Sequence, residues 1–242
     1  MFSTLEFLRE LGSALLREKN YYLLKPRSAT IETTFRCNLK CPMCSVRKQG
    51  LGVDRKELST EEIYSLVDDL FEMGVKSIRF IGAEPLMRKD IIDLIRYVKA
   101  KNMECDLVTN GTLIDEKMAF ALVTSGIDQI AISIDAPNEL HDVVRGVKGT
   151  FIRVKTGLEH LLRAKRELNN RLPWINVRTT ISALNCDIAN LRGMVRFVEK
   201  YGIDRFSFGI IRETPKAVVE NTLFDGKKIA STRFLAESGS LL

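Results

Sequence analysis

From residue 29 onward, strand-like and helix-like segments alternate without interruption, and this order restricts the fold more than any other feature of the chain. Residues 29–34, 77–81, 105–109, 129–134, 175–181 and 206–211 are short, mostly apolar or β-branched runs that read as strands. Between them lie helices with recognisable starts and stops. Ser59, with Glu62 three residues on, forms a capping box ahead of Ile63, Leu66, Val67 and Leu70 at helical spacing, and Gly74 closes that helix. An internal echo marks the joints: "GVKSI" at Gly74, "GIDQI" at Gly126 and "GIDRF" at Gly202 each carry a helix-ending glycine, an apolar residue, a charge and the opening of a strand.

Regular βα units with apolar strands imply a parallel sheet covered by helices. Six units are too few for a complete eightfold barrel. The expected class is therefore α/β, a partial (βα)6 TIM-like open barrel of parallel strands with an N-terminal amphipathic helix. In that helix Leu5, Phe7, Leu8, Leu11 and Leu15 face away from Glu6, Glu10 and Arg17. Its polar face mixes both signs, which favours packing on the core over a membrane surface. The expected division is a helix over residues 1–28, a core over 29–212, and an extension of uncertain structure over 213–242.

Charged residues inside the first twenty positions argue against a signal peptide, and no apolar run approaches the roughly 18 residues that cross a bilayer. A cytoplasmic location is the default expectation. The chain carries +6, but its basic residues are dispersed and not interleaved with aromatics, so no nucleic-acid surface is expected.

Three of the five cysteines, Cys37, Cys41 and Cys44, fall in the stretch "CNLKCPMC" directly after the first strand. In a parallel α/β architecture that is the rim where active sites gather. In a reducing compartment such a cluster reads as a metal site before a disulfide framework. The only histidines, His141 and His160, are over ninety residues away and read as loop and helix-surface residues without a catalytic role. A structural zinc site wants a fourth protein ligand, whereas a four-iron cubane on three cysteines leaves one iron open. Cys105 and Cys186 read as small buried hydrophobes, Cys186 with the larger reservation because it follows the fifth strand.

The run "CNLKCPMC" resembles the Cys-x3-Cys-x2-Cys signature of the radical S-adenosylmethionine (radical SAM) superfamily. The resemblance implies that Cys37, Cys41 and Cys44 ligate a [4Fe-4S] cluster whose open iron is chelated by S-adenosylmethionine (SAM). It also implies a one-electron reductant such as ferredoxin or flavodoxin, and a 5′-deoxyadenosyl radical that abstracts hydrogen from a substrate the sequence does not name. "FIGAEPL" is similar to the family's Gly-Gly-Glu-Pro motif, placing Gly82, Ala83, Glu84 and Pro85 at the SAM amino group, with Ala83 a departure. "TNG", which contains Asn110, is similar to a family turn. Ser133, Asp135 and Arg145 resemble the family's later segment: Ser133 toward the ribose, Arg145 toward the SAM carboxylate, and Asp135 either on the ribose or orienting Arg145. Met43, where an aromatic is common, would pad the adenine.

Many family members append a cysteine-rich region and act on peptides, and no cysteine follows Cys186 here. The expectation is either a single-cluster enzyme acting on a peptide or biosynthetic intermediate, or a truncated form of something longer. A non-catalytic iron-sulfur or electron-transfer module, and a zinc-stabilised nucleotide-binding protein, stand as alternatives.

Overall fold

A computed structural model describes residues 26–44 and 56–210. The expected N-terminal helix and C-terminal extension lie outside the described residues. Six strands, β1 (Ser28–Glu32), β2 (Ser77–Ile81), β3 (Glu104–Thr109), β4 (Gln129–Ser133), β5 (Trp174–Ile181) and β6 (Arg205–Ile210), begin and end within two residues of the sequence expectation. All neighbours are parallel, and the order in the sheet follows the order in the chain. Six helices return the chain between strands: α1 (Thr60–Glu72), α2 (Ile91–Ala100), α3 (Glu116–Thr124), α4 (Leu140–Arg145), α5 (Thr150–Glu167) and α6 (Ile188–Tyr201). A 3-10 turn at Pro85–Met87 precedes α2.

The capping box forms as expected, Ser59 Oγ accepting from Glu62 N–H while Glu62 Oε2 accepts from Ser59 N–H. The core lies between the helices and one face of the sheet, where Ile78, Phe80, Cys105, Leu107, Ile130, Ile132, Ile175 and Val177 are fully buried. Among the described residues no helix is long and apolar enough to cross a membrane.

The strands are not apolar on both faces, which corrects the expectation from their composition. Arg79, Asp106, Gln129, Asn176, Arg178, Arg205 and Ser207 alternate with the core residues and line a cavity of about 280 Å³. Side chains alternate across a strand. A sheet that curls into an open barrel keeps its inner face for solvent or ligand, and here that face is polar.

The joints show why the echo recurs. Asp128 Oδ2 accepts from the Cys105 N–H at 2.7 Å and from Lys99 Nζ. Asp204 Oδ2 accepts from the Ile175 N–H at 2.8 Å and from Lys165 Nζ at 3.1 Å. Each aspartate joins a strand start to a helix-end lysine.

Candidate active site

The cysteine loop leaves β1 at the rim where the strands end and is held from two sides by backbone contacts. On the β2 side, Ala83 N–H donates to Thr34 C=O and Glu84 N–H to Arg36 C=O, each at 2.9 Å. Gly82 sits at φ 137°, and a Cβ there would stand 2.7 Å from the Thr34 carbonyl oxygen, so only glycine permits the approach. On the α4 side, Lys40 N–H donates to Arg145 C=O at 3.2 Å. Gly146, at φ 68°, caps α4 with its Cα so close to the loop that a Cβ would meet the Lys40 carbonyl oxygen at 2.2 Å. Glu57 ties the loop's entry, accepting from Thr34 Oγ1 and from the Phe35 N–H.

Glu84 is fully buried at the turn after β2, extended as Pro85 demands. Its Oε1 accepts from Leu86 N–H at 3.0 Å and Thr109 Oγ1 at 2.7 Å, and its Oε2 accepts from Asn110 N–H at 2.7 Å. Burial raises its pKa in spite of these three donors. The carboxylate thus joins the rim turns after β2 and β3, a role the sequence expectation did not contain. Asn110 in turn donates Nδ2 to Asn38 Oδ1 at 2.9 Å, inside the cysteine loop, and that Nδ2 lies 4.0 Å from Cys37 Sγ.

The thiols differ in surroundings. Burial raises the Cys37 pKa, opposed by the Leu39 N–H directed at its sulfur from 3.4 Å. Burial also raises that of Cys41, opposed by the nearby positive charge of the Arg145 guanidinium. Arg145 Nε lies 2.6 Å from Asp135 Oδ2 with its side chain only 11% exposed. The contact is close but its N–H is not aimed along it: Arg145 Nε and Nη2 and Asp135 Oδ2 all lack a hydrogen-bond partner. Asp135 is otherwise fixed, Oδ1 accepting from Thr180 N–H at 2.9 Å and its carbonyl accepting from Asn185 and Asn190 side-chain amides.

The structure therefore brings Cys37, Cys41, Asn110, Asp135 and Arg145 to one end of the sheet, with Gly82, Ala83, Glu84 and Pro85 beside them. Ser133 closes β4 at the same end, half-buried, and Met43 is half-buried between Cys41 and Cys44. Two expectations are corrected. His141 is not a surface residue: it is fully buried on α4, where Nδ1 accepts from the Asp135 N–H at 3.1 Å and Nε2 has no partner. A backbone donor left behind by the strand end needed an acceptor there, and burial, with the Arg145 charge, lowers the His141 pKa to about 3. Cys186 is half-buried and not a core residue, although Cys105 is fully buried as expected. His160 lies on α5 with its Nδ1 3.0 Å from Arg163 Nη2, in keeping with a helix-surface place.

The sequence profile of the Radical SAM superfamily matches residues 31–173, more than half of the chain and all of the elements that carry these contacts except β5, α6 and β6. The chain belongs to the radical SAM superfamily. Its members are enzymes that use S-adenosylmethionine with an iron-sulfur cluster. The chain is 42% identical to the Fe-coproporphyrin III synthase of Methanosarcina barkeri over 127 residues, which is 52% of this chain and 32% of that protein. It is 30% identical over 187 residues to the AdoMet-dependent heme synthase of Nitratidesulfovibrio vulgaris, covering 77% of this chain and 48% of the relative. The crystal structure of Streptococcus suis SuiB bound to precursor peptide SuiA superposes with a TM-score of 0.74 at 19% identity, covering 99% of this chain and 51% of that one. That likeness establishes a shared fold. The chain spans about a third to a half of the length of the curated relatives it matches.

Proposed function

We propose that Cys37, Cys41 and Cys44 hold a [4Fe-4S] cluster and that this radical SAM core cleaves S-adenosylmethionine reductively. The observation that carries this reading is the junction of the cysteine loop with Arg145: a buried guanidinium beside the Cys41 thiol, with Nη2 unpartnered. A buried cation without a full set of acceptors is costly, and a thiolate ligand together with a substrate carboxylate satisfies it. The donor set supports a cluster over zinc. Three cysteines on one short loop, with no histidine near them in the sequence, offer one thiolate to each of three irons.

A cluster held by these cysteines would supply one electron for reductive cleavage of the bound sulfonium, the source of methionine and of a hydrogen-abstracting 5′-deoxyadenosyl radical. The chain's own residues prepare that step. Leu39 N–H and Asn110 Nδ2 point toward the Cys37 sulfur, and such hydrogen bonds tune cluster potential. Arg145 balances the Cys41 thiolate and offers Nη2 to the SAM carboxylate. Asp135 holds Arg145 in place, Ser133 is offered to the ribose, and Met43 pads the adenine. Glu84, with its oxygens already bonded, acts by fixing the Gly82–Ala83 turn, whose carbonyls receive the SAM amino group. A one-electron reductant completes the system.

The relatives are named for different chemistries, among them heme synthase, PqqA peptide cyclase and GTP 3′,8-cyclase, so their names do not single out a reaction for this chain. The test is anaerobic reconstitution with iron and sulfide, reduction, and chromatography for 5′-deoxyadenosine. Product is expected from the parent chain, with loss of at least ~100-fold in Cys41→Ala at an unchanged urea midpoint. Undiminished product in that variant would sink the ligand assignment.

A further inference from the structure

The inner face of the sheet carries an unequal charge. Arg79 is neutralised by Asp106, at 2.7 Å. Arg205 donates only to the neutral Gln129 Oε1, at 3.2 Å, and lies over the Trp174 ring with 5.4 Å to its centroid. The Arg178 backbone carbonyl accepts from the Ile134 N–H at 3.0 Å, but its exposed guanidinium makes no hydrogen bond or ion pair among the described residues. Two guanidinium groups without a carboxylate partner therefore stand on neighbouring strands, on one face, in the same cavity.

Strand register fixes their relation. Arg178 pairs with Ser207 on β6, so Arg205 lies two residues lower, a diagonal of about 8 Å between Cα atoms. On its other side Arg178 pairs with Ser133, at the level proposed for the nucleotide. Like charges so close repel one another unless an anion enters. Guanidinium groups bind planar oxyanions through parallel N–H bonds. Phosphate sites usually add backbone N–H groups from a helix start or a nest. Here the ladders of β4, β5 and β6 engage the backbone of this wall, and no lysine lines the cavity.

We infer that this cavity binds a carboxylate-bearing substrate, anchored by Arg178 and Arg205. The inference rests on the proposed radical chemistry for the substrate's role, and on the inner-face charge for its chemical class. A carboxylate held at Arg178 lies beside Ser133, which places the rest of the molecule next to the nucleotide site.

The test is calorimetric titration of the anaerobically reconstituted full-length chain, at fixed ionic strength, with glutarate, with its neutral analogue glutaramide, with inorganic phosphate and, separately, with SAM. Glutarate should bind and glutaramide should not. Arg178→Gln should weaken glutarate by about tenfold or more and Arg205→Gln by about threefold or more, with Arg178→Lys retaining part of the affinity. SAM affinity should change by less than about threefold in the same variants. Equal binding of glutarate and glutaramide, or tighter binding of phosphate, overturns the inference. So does an Arg178→Gln variant that loses SAM as strongly as glutarate, because Arg178 then serves the nucleotide. If the parent chain binds glutarate but not SAM, the carboxylate site stands and the radical reading falls.

Discussion

Where the strands begin, the partly exposed charges of the helix-to-strand joints have company. Asp128 and Asp204 take a strand-start N–H and a lysine apiece. Where the strands end, Glu84 is as well bonded, but the segments after β4 and β5 are not. Among the described residues, the buried side-chain atoms without a hydrogen bond, His141 Nε2, Arg145 Nη2, Asn190 Oδ1 and the ion-paired Arg145 Nε and Asp135 Oδ2, belong to the segments that follow β4 and β5. Native proteins leave few such atoms without reason. In βα folds the first rim carries stability and the second carries chemistry, and the proposed function separates the two here along strands of five to eight residues.

Mutations can break that contrast, and the largest effect is expected at the ligand rim. Gly146→Val forces a β-branched residue into the left-handed region and drives a Cβ into the Lys40 carbonyl. It should cost about 3 kcal/mol or more in urea unfolding and lower 5′-deoxyadenosine formation at least ~100-fold. Glu84→Ala strands three donors in a dry turn and should cost roughly 3 kcal/mol by urea titration, with cluster content, read by iron analysis, falling with it. Asp128→Ala, at the opposite rim, should cost about 1–3 kcal/mol while leaving product per folded molecule unchanged. A loss of turnover there at constant fold would erase the separation of roles.

The smallest effect is one of pH. His141 is held neutral when folded, with a pKa near 3, against an ordinary value near 6.5. Between those values the unfolded chain binds the extra proton, so stability rises with pH and is lost as pH falls below about 6.5. Moving from pH 7 to pH 5 should remove about 2 kcal/mol through this group. His141→Gln should flatten that part of the slope in urea midpoints measured across the range, and an unaltered slope would show that His141 is accessible to protons.

Much of this arrangement is legible in local pattern. Short apolar or β-branched runs gave the strands, Ser59 and Glu62 gave a helix start, and the recurrent Gly-x-charge joints marked where strands begin. The cysteines, Gly82, Glu84 and Arg145 were singled out as candidates through spacing and family likeness, and the structure gathers them at one end of the sheet. What escaped depends on contacts between loops distant in sequence: Thr109 and Asn110 reaching Glu84 across 25 and 26 residues, or the Asp135 N–H turning to His141. No local rule distinguishes a buried histidine from one on a short helix's surface. The polar inner face escaped for another reason. Single arginines and asparagines within strands look like ordinary alternation until the sheet curls them together.

Asp128 has a reach beyond its own rim. Its carboxylate and its backbone N–H take both sides of Cys105, while its carbonyl receives the Trp174 N–H at 2.8 Å, so one residue sets how β3, β4 and β5 are aligned. A slip of one place along β4 would turn Ser133 outward and bring Ile132 into the chamber. The choice of side chains offered to the proposed nucleotide site thereby depends on backbone bonds at the far end of the sheet, about 17 Å below it, which Asp128→Ala leaves in place.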